Sequence, residues 1–182
     1  MWRQGFTAGV RTRGVYRTGH QGVNLVLFAP VFAALAASGR VVLGAVGVGI
    51  VFLTASMPDI DIKLPVVAHR GITHTVWAAA AVGLAVVGPV YYFREPIVSA
   101  APDLGAYSPL TLAAYVGGCL SFSILGHLVG DLLTPMGIRP FQPLSDRSFS
   151  LSLWTADSIA NKALFGVGVV SIAGTVYLLA GV

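Results

Sequence analysis

Cysteine and charge are both scarce in this chain. Its one cysteine, Cys119, rules out an internal disulfide and any site built from several thiolates. It lies inside an apolar run and reads as a small packing residue. Charged residues make up 10% of the 182, against 55% hydrophobic and a mean hydropathy of +0.81, and this excludes a water-soluble globule. Acids are the scarcer sign, with seven Asp and Glu against eleven Lys and Arg, a net charge of +4. The basic residues are scattered rather than gathered into an aromatic-interleaved patch, so the sequence gives no reason to expect nucleic acid as a partner. Neither an internal repeat nor a low-complexity tract is evident.

Where charge is missing, spans can be placed. A bilayer core of about 30 Å needs roughly 20 apolar residues per helix, and about 17 are tolerated. Five uncharged runs qualify: Gln21 to Gly39, Val41 to Pro58, Thr75 to Phe93, Pro109 to Val129 and Ala163 to Val182. The expected fold is therefore all-α, a polytopic membrane helix bundle of about five transmembrane helices with an interfacial loop that carries the site. Residues 1–19 are expected to be a flexible basic arm, since they carry Arg3, Arg11, Arg13 and Arg17, no acid, and four glycines. The arm is expected to be retained rather than cleaved as a signal peptide, because more membrane segments follow it. Residues 20–182 are expected to form one membrane-embedded domain.

Proline and glycine punctuate these runs. Pro30 is expected to kink the first span, and Ser38-Gly39-Arg40 to turn the chain into a hairpin. Pro58 and Pro65 keep the segment between spans two and three from forming one helix. Thr73 or Thr75 would cap span three, whose Tyr91-Tyr92-Phe93 cluster suits the opposite interface. Leu132 to Ala160, broken by Pro135, Gly137, Pro140 and Pro143, is expected to lie at the interface, folded over the site. On this topology Arg3, Arg11, Arg13, Arg17, Lys63, Arg70, Arg139, Arg147 and Lys162 share one face, against Arg40 and Arg94 on the other. Nine against two makes this a multi-pass cell-membrane protein with its N-terminus and site on the cytoplasmic side.

All four histidines, His20, His69, His74 and His127, fall on that same face with Asp59, Asp61 and Asp131. Imidazole and carboxylate without thiolate is the ligand set of a divalent cation, zinc first, with manganese or iron as alternatives. His127 and Asp131 are one helical turn apart and share a helix face. His69 and His74 converge only if Arg70-Gly71 is non-helical. Asp59 and Asp61 project together if the chain is extended there. Seven such groups exceed the needs of one tetrahedral ion, so a centre of two or more metals is expected. Arg70 is the candidate for gripping an anionic substrate group, with Arg139 and Arg147 as weaker ones, and Asp61 is the second candidate for direct catalytic work. Lys63 is expected to face headgroups, and Asp146 and Asp157 to serve turns or caps.

The stretches P-D-I-D-I-K, H-R-G-I-T-H-T and G-H-L-V-G-D-L-L-T-P-M-G-I-R-P-F-Q-P-L-S-D-R resemble the YdjM-like membrane-bound metal-dependent hydrolase family over roughly His20 to Asn161. The resemblance implies a small multi-span membrane protein with metal-dependent hydrolase activity. It maps the family's pattern onto His20, Asp59, Asp61, His69, His74, His127 and Asp131. The family often opens with Thr-His near the initiator methionine, whereas His20 here follows Gly19 and a longer basic arm.

The function expected is hydrolysis of a phosphoester or related bond in a lipid or amphiphilic substrate, with membrane lipids as surroundings. Two other classes stay open: a metal or proton transporter, and a metal-stabilised membrane protein without chemistry.

Overall fold

Long uncharged runs leave the backbone one way to satisfy its polar groups in lipid, and the chain takes it. The computed structural model describes residues 13–63, 69–155 and 158–180. Arg3, Arg11, Pro65 and Asp157 lie outside the described residues. Five long helices are present: α1 (Arg13–Ala37), α2 (Val41–Leu53), α3 (Val76–Tyr92), α5 (Pro109–Leu132) and α6 (Ile159–Ala180), with a short α4 (Glu95–Ala100) in the loop after α3. Four stretches are long and apolar enough to cross a membrane, Arg17–Ala37, Val41–Lys63, Pro109–Leu132 and Ile159–Leu179; α3 is a shorter apolar helix of 17 residues. Among the described residues there is no strand, only an isolated antiparallel bridge between Ile138 and Phe149. The all-helical membrane bundle expected from the sequence is the fold observed.

Helix boundaries follow the punctuation. Gly39, at φ +78°, turns α1 into α2 through a left-handed conformation that glycine adopts freely. Thr75 caps α3, its hydroxyl accepting from the Ala78 amide at 3.1 Å, as expected of one of the two threonines. Ser108 does the same for α5 through Thr111. Pro30 sits inside an unbroken α1. One expectation changes: α1 begins at Arg13, so residues 13–19 are helix where a flexible arm was expected. Tertiary packing overrides the poor propensity of Gly19, which lies against Asn161 at the start of α6.

Packing is pairwise. α1 lies along α6, α3 lies along α5, and α2 bridges α1 and α5. The α3–α5 approach is close because Gly83 meets Gly117: a Cβ on Gly117 would stand 2.5 Å from the Gly83 carbonyl oxygen. Phe28, Phe32, Val51 and Cys119 form the central core, so the lone cysteine packs as expected. A second cluster of Leu43, Leu104 and Leu112 closes the end away from the histidines. At the other end, the segment after α5 folds back upon it: the Leu151 and Leu153 amides donate to the Leu132 and Leu133 carbonyls, and the Val76 amide donates to the Pro140 carbonyl. The start of α1, the end of α2, the start of α3 and the end of α5 thereby meet.

Candidate metal centre

Four elements deliver the seven residues. α1 brings His20, a 3-10 turn over Pro58–Lys63 brings Asp59 and Asp61, the short 3-10 turn Ile72–His74 and the residues before it bring His74 and His69, and the last turns of α5 bring His127 and Asp131. His74 and His127 are wholly buried, and Asp61 and Asp131 nearly so. The reversal that lets His69 and His74 approach is made by Arg70 at φ +59°, with their ring centroids 5.4 Å apart. The sequence placed that break at Arg70-Gly71, and the left-handed residue is the arginine. The expectation of extended chain at Asp59 and Asp61 does not hold. In the 3-10 turn the two carboxylates meet opposite nitrogens of His74, Asp59 at Nε2 and also near His127, Asp61 at Nδ1 and also bound to His69, Thr73 and the Arg70 amide.

The centre of the cluster is a pair of facing imidazoles. His127 Nδ1 lies 2.8 Å from the Ala55 carbonyl oxygen, which only accepts, so Nδ1 carries a proton and, in the neutral ring, Nε2 a lone pair. The Thr73 hydroxyl donates to Asp61 Oδ2 at 2.7 Å, and so can only accept from His74 Nδ1 at 3.0 Å; Asp61 Oδ2 stands 3.2 Å from that same nitrogen. In its neutral form His74 too therefore has its lone pair on Nε2. The two Nε2 atoms face each other at 3.1 Å. Two neutral imidazoles so placed repel unless a proton or a metal cation lies between them.

Carboxylates complete the donor set. Asp59 Oδ1 is 3.5 Å from both Nε2 atoms, and Asp131 Oδ2 is 3.5 Å from that of His74 and 3.4 Å from that of His127. An ion with bonds of about 2.0–2.1 Å has tetrahedral ligand–ligand edges of about 3.3–3.4 Å, so each carboxylate closes a triangle of the size that ion requires. Asp131 Oδ2 is buried with no hydrogen-bond partner among the described residues, as an oxygen meant for a cation would be. These residues fit a divalent metal. Two further triads share members with this one, His20–His127–Asp131 and Asp61–His69–His74.

The outlying members differ in character. His20 stacks on His127 with centroids 3.8 Å apart, and its Nε2 is 3.7 Å from Asp131 Oδ1. Its Nδ1 presses on α5 where Gly130 leaves room, since a Cβ there would stand 2.6 Å away. Asp61 accepts from three donors, His69, the Arg70 amide and Thr73, and its Oδ2 stands 3.2 Å from His74 Nδ1. His69 is the accessible histidine, with its side chain 41% exposed. Arg70 does not reach outward: Nη2 is 2.6 Å from Asp131 Oδ1 and Nη1 is 2.8 Å from the Gly137 carbonyl oxygen, tying the covering segment to the cluster. Arg147 lies over the Phe149 ring, and Asp146 accepts from Gln142 in its own turn.

Sequence reasoning had no access to the Ala55 and Gly137 carbonyls, which carry no residue signature. Thr73 was legible as a capping candidate only, although a hydroxyl directly before a histidine is a signal for its Nδ1 partner. A cavity of about 880 Å³ opens over the cluster and reaches His20, Asp59, His69, Arg70 and Asp131.

The sequence profile of the family described as YdjM inner membrane protein matches residues 20–181, nearly the whole of the described bundle. The chain belongs to the YdjM inner membrane protein family. Comparison with curated proteins and with solved structures finds no match. Every residue of the histidine and aspartate cluster lies within the YdjM match, which begins at His20 itself.

Proposed function

We propose that this YdjM-family protein is an integral membrane metal-dependent hydrolase that acts on a phosphoester or related bond of a lipid or amphiphilic substrate at the cytoplasmic face. The observation that carries the reading is the facing pair of His74 and His127 Nε2 atoms, closed by Asp59 and Asp131 and open to the cavity on the Asp59 side. His74, His127, Asp59 and Asp131 would hold the first ion, zinc before manganese or iron. His20, beside His127 and Asp131, and His69, beside Asp61 and His74, offer donors for a further ion on either side. A bound divalent ion supplies Lewis acidity and a water whose pKa falls to about 7.

The chain's own groups do the rest. Asp61 and Thr73 fix the His74 tautomer, and the Ala55 carbonyl fixes that of His127, the outer support that metal-binding imidazoles require. Arg70 holds Asp131 Oδ1 so that Oδ2 turns to the imidazoles, which makes Arg70 a positioning residue rather than the substrate clamp expected from sequence. The bias of Lys and Arg supports a cytoplasmic site.

Elemental analysis of detergent-purified protein beside His74→Ala, combined with phosphate release from phosphoester substrates, tests the reading. Bound metal in the wild type, lost together with turnover in the variant, is expected. The full burial of His74 and His127 also suits an ion that only braces the bundle. Metal without turnover on any phosphoester would leave that second reading in place, and absence of metal would sink both.

A further inference from the structure

The cavity is larger and more apolar than an ion and its water require. Its volume of about 880 Å³ is that of a site for a drug-sized ligand. Asp59 and Asp131 are the acids that line it, and both face the histidine cluster. Three cations line it: Arg70, whose guanidinium is taken up by Asp131 and the Gly137 carbonyl, and two exposed ones from separate segments, Arg17, near the start of α1, and Lys63, at the end of the 3-10 turn. Much of the remaining wall consists of large apolar side chains left open: Leu53 at 69%, Met57 at 40%, Ile60 at 54% and Met136 at 69%. Leu53 is the last residue of α2, so this wall continues the lipid-facing surface of a spanning segment into the cavity. A free phosphate or a polar metabolite makes no use of such a wall. A hydrocarbon chain does.

We propose that the cavity binds a phosphate monoester carried on a lipid chain, headgroup first, with Arg17 and Lys63 gripping the anionic oxygens and Leu53, Met57, Ile60 and Met136 taking the chain nearest the headgroup. The two exposed cations match the dianionic monoester, and a zwitterionic headgroup would bring its own cation against them. The chain leaves along α2 into the leaflet, so the substrate need not quit the membrane to reach the cluster. What happens after binding rests on the hydrolase reading above: water adds across the P–O ester bond, releasing inorganic phosphate and a lipid alcohol such as diacylglycerol. The binding itself does not rest on that reading.

The test uses the full-length protein in phosphatidylcholine nanodiscs and a fluorescent phosphatidic acid as probe, displaced by unlabelled phosphatidic acid, by added phosphatidylcholine or by inorganic phosphate. Phosphatidic acid is expected to displace it at least tenfold better than either of the others. Arg17→Gln and Lys63→Gln are each expected to weaken binding about fivefold, the effect of one basic residue at an anionic surface. An unchanged melting temperature in these variants shows that the fold is intact. Displacement by inorganic phosphate as effective as by phosphatidic acid would overturn the lipid chain's role. Unchanged affinity in both variants would overturn the headgroup assignment. Phosphate release is read in parallel, so the two ideas fail separately: binding without release upholds the lipid site and removes the hydrolase. Release from a water-soluble phosphoester without retention of phosphatidic acid does the reverse.

Discussion

Replacing Asp131 by Asn strikes a buried carboxylate that both holds Arg70 and faces two imidazoles. Its Oδ1 holds Arg70 at 2.6 Å and its Oδ2 stands within 3.5 Å of two imidazole nitrogens, in a side chain only 3% exposed. Removing one partner of a buried ion pair costs about 3–5 kcal/mol. Asn still offers Arg70 an oxygen, so the lower figure applies, about 3 kcal/mol or roughly 150-fold in the folded ratio. Metal affinity should fall further than the 10–100-fold typical of losing an outer supporting group, because an anionic donor goes. Chelator competition measures the second quantity, and unfolding of the metal-free protein in detergent the first. The pair with Arg70→Gln sharpens the test. If Arg70 acts by holding Asp131, the double variant should lose about 1–3 kcal/mol less than the sum of the singles. Strict additivity, or metal binding unchanged in Asp131→Asn, would refute the reasoning.

Asp61→Asn should lower metal affinity by about 10–100-fold and less than His74→Ala does, since Asp61 works by orienting His74; equal losses would make Asp61 a direct ligand. Gly130→Ala forces a methyl against His20 Nδ1 and should destabilise by about 1–3 kcal/mol, while Gly118→Ala, with open space around it, should be neutral or slightly stabilising; matched melting temperatures would refute the crowding. Stripping the ion with a chelator should lower the melting temperature, and restoring it at 100 times its Kd should return about 2.7 kcal/mol. A cysteine placed at exposed Ser148 should react with impermeant reagents only from the cytoplasmic side, and reaction from outside would invert the proposed orientation.

Much of this was legible because the signals are direct. A run without charge is visible residue by residue, and once five such runs were counted, hairpin geometry sent all four histidines to one end of the bundle. His127 and Asp131 followed from helix periodicity alone, and their 3.4 Å approach agrees. Asp59 and Asp61 both reach the cluster, but not through the extended backbone considered for them, because their local conformation is decided remotely: the donors that engage Asp61 come from His69 to Thr73, beyond any window that judges Pro58 to Lys63. Arg70 was legible as a cation between two histidines. Its partner lies 61 residues away on another helix, and spacing cannot reveal which charge an arginine will meet.

The pairing of α1 with α6 and of α3 with α5 has a consequence for biogenesis. His20 rides on the first pair, His127 and Asp131 on the second, and Asp59 on the connection leaving α2. Each helix can enter the bilayer with its hydrogen bonds already made, so insertion does not need the donors to meet. They meet only when the two pairs associate laterally. The metal content of a membrane extract would then report how much of the inserted protein has assembled, and chain that is inserted but unpaired would be visible to an antibody and invisible to elemental analysis.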